Sequence, residues 1–177
     1  MSLYDKASLV FSGKAAAGKS GKAYNIKPVE KLKVDEHVTN GGFDDDSSWV
    51  KVNSPTFSNG QVRFQASDGT NRKIYQTGVF EGDKTYKVSF DVVEIKKGEI
   101  RIGTGFNSVE ITSVVNGGPI STPGSHSLIF KNKGRTDDDW IFFQPHTPSD
   151  PYDFTIDNVS VREVEQKAVD FTMVRGS

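Results

Sequence analysis

Strict alternation of apolar and polar residues constrains the middle of this chain more than any other feature. In Thr85-Tyr-Lys-Val-Ser-Phe-Asp-Val92, the side chains of Tyr86, Val88, Phe90 and Val92 fall on one face and those of Thr85, Lys87, Ser89 and Asp91 on the other. That is the two-residue period of a half-buried strand, whereas a helix would scatter the four apolar residues around its circumference. Shorter alternations occur at 61–65 and 99–102, and β-branched or aromatic runs at 72–80, 109–115, 125–130 and 140–143. The separators are turn material such as Ser58-Asn-Gly60, Glu81-Gly-Asp83 and Lys96-Lys-Gly98, where Gly or Asn supplies positive φ. About eight evenly spaced strands with few helical stretches predict a two-sheet antiparallel sandwich.

Composition narrows what such a sandwich can do. At 177 residues the chain holds one good-sized domain plus arms, and such a domain buries roughly two-thirds of its unfolded surface. Lys and Arg number 22 against 23 Asp and Glu, a formal charge of -1, so no strong field draws in DNA or an anionic membrane. Neither nucleic acid binding nor membrane insertion is expected. No apolar run approaches the ~18 residues of a span, and Ala7-Ser-Leu-Val-Phe11 is too short for the core of a signal peptide. Without cysteine there is no disulfide framework, thiolate chemistry or cysteine-zinc site.

The last expected strand breaks its own alternation. Phe154 and Ile156 share one parity, Val159 and Val161 the other, so the face switches around Asp157-Asn158, and a β-bulge there would do it. This closing segment, Phe154-Thr-Ile-Asp-Asn-Val-Ser-Val161, and the earlier Val38-Thr-Asn-Gly-Gly-Phe-Asp-Asp-Asp-Ser-Ser-Trp49 resemble the last and first strands of the jelly-roll modules found in many carbohydrate-binding proteins. The resemblance implies an all-β, two-sheet antiparallel jelly-roll sandwich over 38–165, its first and last strands side by side, with extended arms at 1–37 and 166–177. It also implies that Asp44 and Asp157, with backbone carbonyls, help hold a structural calcium. Asn40, Asp45 and Asp46 add oxygens of the kind this cation prefers. The alternative is a solvated acidic loop, with Asp157 bonded to backbone. Asp137-Asp-Asp139 is read as a solvated loop.

Gly13-Lys-Ala-Ala-Ala-Gly-Lys19-Ser20 spells the phosphate-binding loop formula. Its chemistry needs a helix starting at the Lys-Ser pair and a parallel sheet. Gly21 and Pro28 leave less than two helical turns and no strand-helix alternation follows, so the stretch is read as an extended, mobile arm. Ala7-Ser-Leu-Val, Ser20-Gly-Lys-Ala-Tyr-Asn-Ile-Lys-Pro28 and Asp170-Phe-Thr-Met-Val-Arg-Gly-Ser177 resemble pieces of a short segment near the N-terminus of bacteriophage structural proteins, often tail or fibre components. In those proteins the pieces run on almost directly, and here the sandwich is inserted between Pro28 and Asp170. The resemblance implies attachment to other virion proteins through the arms, a place in the virion, and a homo-oligomer with a trimer favoured. Such proteins commonly continue further, which implies a fragment or processed product ending at Ser177.

No catalytic constellation stands out. His37, His126 and His146 lack metal-ligand spacing and are read as surface residues, no Gly-x-Ser-x-Gly elbow occurs, and no carboxylate pair can be singled out among 23 acids. The chain is read as non-enzymatic. Sugars stack their apolar faces on aromatic rings while amides and charged groups bind the hydroxyls. That chemistry selects Tyr75 with Gln76, Phe106 with Asn107, and Tyr152 between Pro151 and Asp153 as glycan contacts; Trp49 and Trp140 are read as core. Two readings result. The first is a virion structural protein, a decoration, fibre or tail-associated part, whose projecting sandwich touches host-surface glycan. The second is a free-standing carbohydrate-binding module or adhesin domain whose arms are linkers.

Overall fold

The computed structural model describes residues 10–11, 26–27, 31–105, 109–110, 118–132 and 139–165. The phosphate-loop formula at 13–20, the arm at 166–177, the run at 111–115, the acids at 137–138, and Phe106 and Asn107 lie outside the described residues. Contacts divide the chain into two units, one of Lys33–Glu163 and one of Met1–Leu32 with Val164–Ser177. In the latter, β1 (Val10–Phe11) pairs antiparallel with β2 (Ile26–Lys27), and β3 (Lys31–Leu32) pairs with Val164 and Glu165.

The larger unit is the expected all-β sandwich. One sheet has the order β10 (Val109–Glu110), β9 (Ile100–Thr104), β12 (Ile141–Pro145), β7 (Lys73–Gln76), β4 (Val50–Val52). The other runs β11 (Gly124–Lys131), β8 (Thr85–Lys97), β13 (Tyr152–Glu165), β6 (Gln61–Ala66), β5 (Thr56–Ser58). Neighbours are antiparallel throughout, and no helix occurs among the described residues. In β8 the predicted parity is met: Tyr86, Val88, Phe90 and Val92 are buried, and the residues between them are half-buried. They meet Ile74, Ile102 and Phe143 of the facing sheet in one core, with the Phe90 and Phe143 rings 5.4 Å apart. Each such side chain contributes about 1.5–3 kcal/mol by leaving water.

β13 switches faces where its sequence changes parity. Its pairing with β8 slips between Asp157 and Ser160, Asn158 takes a φ of 52°, and Phe154, Ile156, Val159 and Val161 are all buried. The bulge re-aims the strand so that both halves face the core.

Residues 38–49, expected as the first strand, instead form turns and bends. Asn40 and Phe43 have φ of 53° and 52°, left-handed values that no strand accommodates. Asn40 locks this loop: its Oδ1 accepts from the Asp44 amide at 2.9 Å, its Nδ2 donates to the Asp45 carbonyl at 2.9 Å, and its own carbonyl accepts the Trp49 indole N–H at 3.0 Å. The expected adjacency to the closing strand is present nonetheless. The Val159 amide donates to the Gly41 carbonyl at 2.9 Å. Just upstream, the Glu36 carboxylate accepts from the Ser160 hydroxyl and the Val161 amide, both at 2.6 Å.

The outward face of the β8 sheet is polar and carries a pH-dependent share of the stability. Arg63 grips Asp153 through two parallel hydrogen bonds, Nε to Oδ1 at 2.7 Å and Nη2 to Oδ2 at 2.6 Å. That grip holds the Asp153 carboxyl below its usual range against the opposing pull of burial. The Ser125 hydroxyl and the Asn158 amide do the same for Asp91, and Lys33 for Glu163. Lowered folded-state values mean stability that is fully present above the unfolded carboxylate range of about 4 and lost as pH falls through the folded values. Scanning calorimetry at pH 7 and pH 3 is therefore expected to show a fall in Tm on acidification, with a smaller fall in Asp153→Asn. An equal fall in the variant would contradict this assignment.

Candidate functional site

Parity places a second cluster of large side chains on the side of the β7 sheet away from the core. Ile74, Ile102, Ile141 and Phe143 point inward, so their neighbours Lys73 and Tyr75 on β7, Arg101 and Gly103 on β9, and Phe142 and Gln144 on β12 take outward positions. Register sets them in rows. Tyr75 lies between Val50 and Phe142, with Gly103 beyond, and Arg101 stands opposite Gln144. Trp140, just before β12, packs its ring edge-on against Tyr75 at 4.7 Å and tilted against Phe142 at 6.1 Å.

Two cations cap these rings. The Lys73 ammonium is 5.2 Å from the Trp140 ring centroid, 5.6 Å from Tyr75 and 5.8 Å from Phe142, and the Arg101 guanidinium is 5.7 Å from Phe142. Each contact draws the cation to the negative face of a ring, contributing about 0.5–2 kcal/mol. Burial, and then the nearby Arg101 charge, hold the Lys73 ammonium below the usual lysine range. Phe142 is 3% exposed and Trp140 9%, while Tyr75, Lys73 and Arg101 are half-buried and meet solvent. Tyr75 is thus the most solvent-open of the three rings, and Trp140 and Phe142 pack against it.

The remaining expected contacts have other surroundings. Gln76 faces inward: its amide nitrogen Nε2 donates to the Thr39 and Ser48 carbonyls at 2.9 Å, and its Oε1 accepts from the Thr39 amide at 2.8 Å. Tyr152 is 2% exposed. Its hydroxyl accepts from the Arg72 amide at 3.1 Å and donates to the Thr70 carbonyl. The β8–β9 turn presses on it closely, since a Cβ on Gly98 would lie 2.7 Å from that of Tyr152. Tyr152 forms part of the wall of a polar groove of about 570 Å³ with Gln65, Asp68, Arg72, Lys96 and Lys97. Much of the charge there is engaged within the protein: Asp153 holds Arg63, Lys96 pairs with Glu94 at 3.0 Å, and Arg72 donates to the carbonyls of Gln65, Asn53 and Ser54.

Asp44 is exposed and Asp157 half-exposed, on segments brought alongside by the Val159–Gly41 hydrogen bond. Of the other expected calcium donors, Asn40 Oδ1 accepts from the Asp44 amide, and Asp45 Oδ1 accepts from Ser47 and Asn40. No group of three or more His, Asp or Glu side chains gathers for a metal among the described residues. Two carboxylates with backbone carbonyls are what this region can offer a calcium. The histidines are partly covered: His37 meets Tyr86 edge-on at 5.2 Å, and His126 stacks on Phe90 at 5.5 Å.

The sandwich has solved counterparts. A xylan-binding domain, CBM22-1 of Xyn10C from Paenibacillus barcinonensis, superposes with a TM-score of 0.51 at 8% identity, covering 75% of this chain and 97% of that domain. The likeness is one of fold alone. The N-terminal cellulose-binding domain of β-1,4-glucanase C from Cellulomonas fimi gives 0.49 at 15% identity, over 74% of this chain and 97% of that one. The enzymatically active domain of tailspike protein 4 from bacteriophage CBA120 gives 0.48 at 14%, over 72% and 21%. These two overlaps are weaker still. No family model matches the sequence, and no curated protein matches it.

The fold is thus a two-sheet antiparallel β-sandwich like that of the xylan-binding domain. Trp49 lies in the core as expected, 3% exposed and edge-on to Phe143. Trp140 is buried as well, but on the opposite side of the sheet. Lys73, Arg101, Phe142 and Gln144 were not singled out from sequence. The available signal was parity: in Trp140-Ile-Phe-Phe-Gln144 only alternate residues can enter the core.

Proposed function

We propose that this protein is a non-catalytic glycan-binding module whose ligand lies on the outward face of the β7 sheet. The observation that carries the reading is Tyr75, a half-exposed ring seated on Trp140 and Phe142 and fringed by Lys73, Arg101 and Gln144. A pyranose ring would stack its C–H face on Tyr75, while the cations and the Gln144 amide take its oxygens. The face binds; no bond is made or broken there. Attachment to a bacteriophage particle through 1–37 and 166–177, a trimeric state and calcium at Asp44 and Asp157 are further proposals that rest on sequence resemblance, and the glycan reading does not depend on them.

The test is calorimetric titration of a panel of neutral and acidic oligosaccharides into the wild-type protein and Tyr75→Ala. Loss of a stacking ring at the centre of a contact typically costs 1–2 kcal/mol or more, so affinity is expected to fall roughly tenfold or further. The Tm should move little, because the Tyr75 ring is already half in water. Binding unchanged in Tyr75→Ala, or absent across the panel, would reject the reading.

A further inference from the structure

We infer that two copies of this chain pair edge to edge through β11, antiparallel about a two-fold axis at Leu128, so that one sheet runs on from copy to copy. Among the described residues β11 pairs on one side alone, with β8, over eight successive residues and without a shift of register. The edges at β4 and β5 have three residues each, too short to template a second chain. The devices that blunt an edge do not occur in β11: Gly124-Ser-His-Ser-Leu-Ile-Phe-Lys131 contains neither proline nor bulge, and its one fixed charge stands at its end. Such a strand offers a long row of backbone N–H and C=O groups to another strand.

Charge selects a second copy as the occupant and sets the register. The outward positions of β11 are Ser125, Ser127, Ile129 and Lys131, opposite Asp91, Ser89, Lys87 and Thr85 of β8. Asp91 in turn stands opposite Asp157 of β13, and like charges in that relation are destabilising. The Ser125 hydroxyl at 2.5 Å and the Asn158 amide at 2.8 Å bind Asp91, yet neither acid has an ion pair among the described residues. Lys131 is the complement. Its ammonium lies 3.6 Å from Asp83, with both groups well exposed, a pair that contributes little. With Leu128 opposite the partner's Leu128, Ser127 opposes the partner's Ile129 and Ser125 the partner's Lys131, so residues of one face stay together as an antiparallel ladder requires. The partner's Lys131 then continues the row of Ser125, Asp91 and Asp157, two strand spacings or about 10 Å from the Asp91 backbone, a gap that the two side chains span together. The antiparallel arrangement also keeps the two lysines at opposite ends of the contact. Because the axis stands perpendicular to the sheet, both copies turn the outward face of the β7 sheet the same way, and on the glycan-binding reading two such faces address one surface.

Sedimentation equilibrium of the full chain across the micromolar range is expected to show reversible dimerisation, since an eight-residue strand pair is a small contact. Lys131→Glu sets a third carboxylate in the row and is expected to weaken dimerisation roughly tenfold or more, whereas Lys131→Arg retains it. Salt at about 0.5 M should weaken the wild-type dimer through screening. The chain has no cysteine of its own, so introduced cysteines read the register. Ser127 is exposed and Ile129 half-exposed, and neither replacement touches the core. A mixture of Ser127→Cys and Ile129→Cys proteins is expected to form the mixed disulfide, between backbones about 5 Å apart, well ahead of either like pair at about 7 Å or more. A chain that stays monomeric throughout, an assembly whose mass Lys131→Glu leaves unchanged, or like disulfides forming as readily as the mixed one overturns the inference. The salt and cross-linking arms decide the matter even if Lys131→Glu fails to fold. None of these measurements uses a sugar, so a failure of the glycan reading leaves them standing.

Discussion

Gly41→Ala is expected to lower stability by about 3 kcal/mol and Tm by roughly 10 °C, while Gly42→Ala one position along changes little. A Cβ built on Gly41 would lie 1.8 Å from the carbonyl oxygen of Val159 and 2.9 Å from its carbonyl carbon. Both are backbone atoms, which cannot rotate aside as a side chain would. Val159 follows the bulge at Asp157-Asn158, and its amide is the donor to the Gly41 carbonyl. Making room for a methyl group therefore means breaking that hydrogen bond and moving a strand whose Ile156 and Val161 are fully buried. At Gly42 an added Cβ meets nothing within 4 Å, so the paired variant controls for the general effect of replacing glycine. Thermal or denaturant unfolding of both proteins is the check. Similar losses in the two would show that the close approach to Val159 is not what requires glycine here.

Gln76→Ala is expected to cost about 3 kcal/mol and to act on folding rather than on ligand. Its amide satisfies the N–H and carbonyl of Thr39 and the carbonyl of Ser48, holding residues 39 and 48 of the loop against β7. Truncation leaves three backbone groups to find new partners, and each buried group left unpaired costs about 1–3 kcal/mol. Gln76→Glu keeps the acceptor for the Thr39 amide but loses both donated bonds and buries a charge against two carbonyls, so it should be no better than alanine. Urea unfolding reads the loss directly. A variant that melts like wild type yet fails to bind oligosaccharide would return Gln76 to the ligand-contact role that its sequence position beside Tyr75 suggests.

The parts of the fold legible in sequence were those governed by local period. The alternation of β8 and the parity switch in β13 each have one physical solution, a half-buried strand and a bulge, and both are found. The segment 38–49 resembles the opening strand of a jelly-roll module, and its aromatic residues, Phe43 and Trp49, do belong in the core. What the period could not reveal is that Asn40 and Phe43 adopt left-handed backbone, a choice stabilised by side-chain hydrogen bonds inside the loop. Tyr152 shows the limit at the level of the site. Its neighbours Pro151 and Asp153 suggest an exposed ring, but a turn more than fifty residues earlier in the chain closes over it at Gly98. Trp140 shows the reverse. A run of four apolar residues reads as core, yet a strand has two faces, and it is the pairing of β12 with β7 that sets Trp140 and Phe142 beside Tyr75.

The most direct measurement is a heteronuclear NMR titration of the 33–163 sandwich signals in the full chain with the tightest oligosaccharide from the panel. Binding on the outward face predicts that amide shifts concentrate in β7, β9 and β12, accompanied by the indole N–H of Trp140, with the groove around Arg72, Lys97 and Tyr152 left unperturbed. Saturable shifts confined to that groove, with β7 and β12 silent, would contradict it.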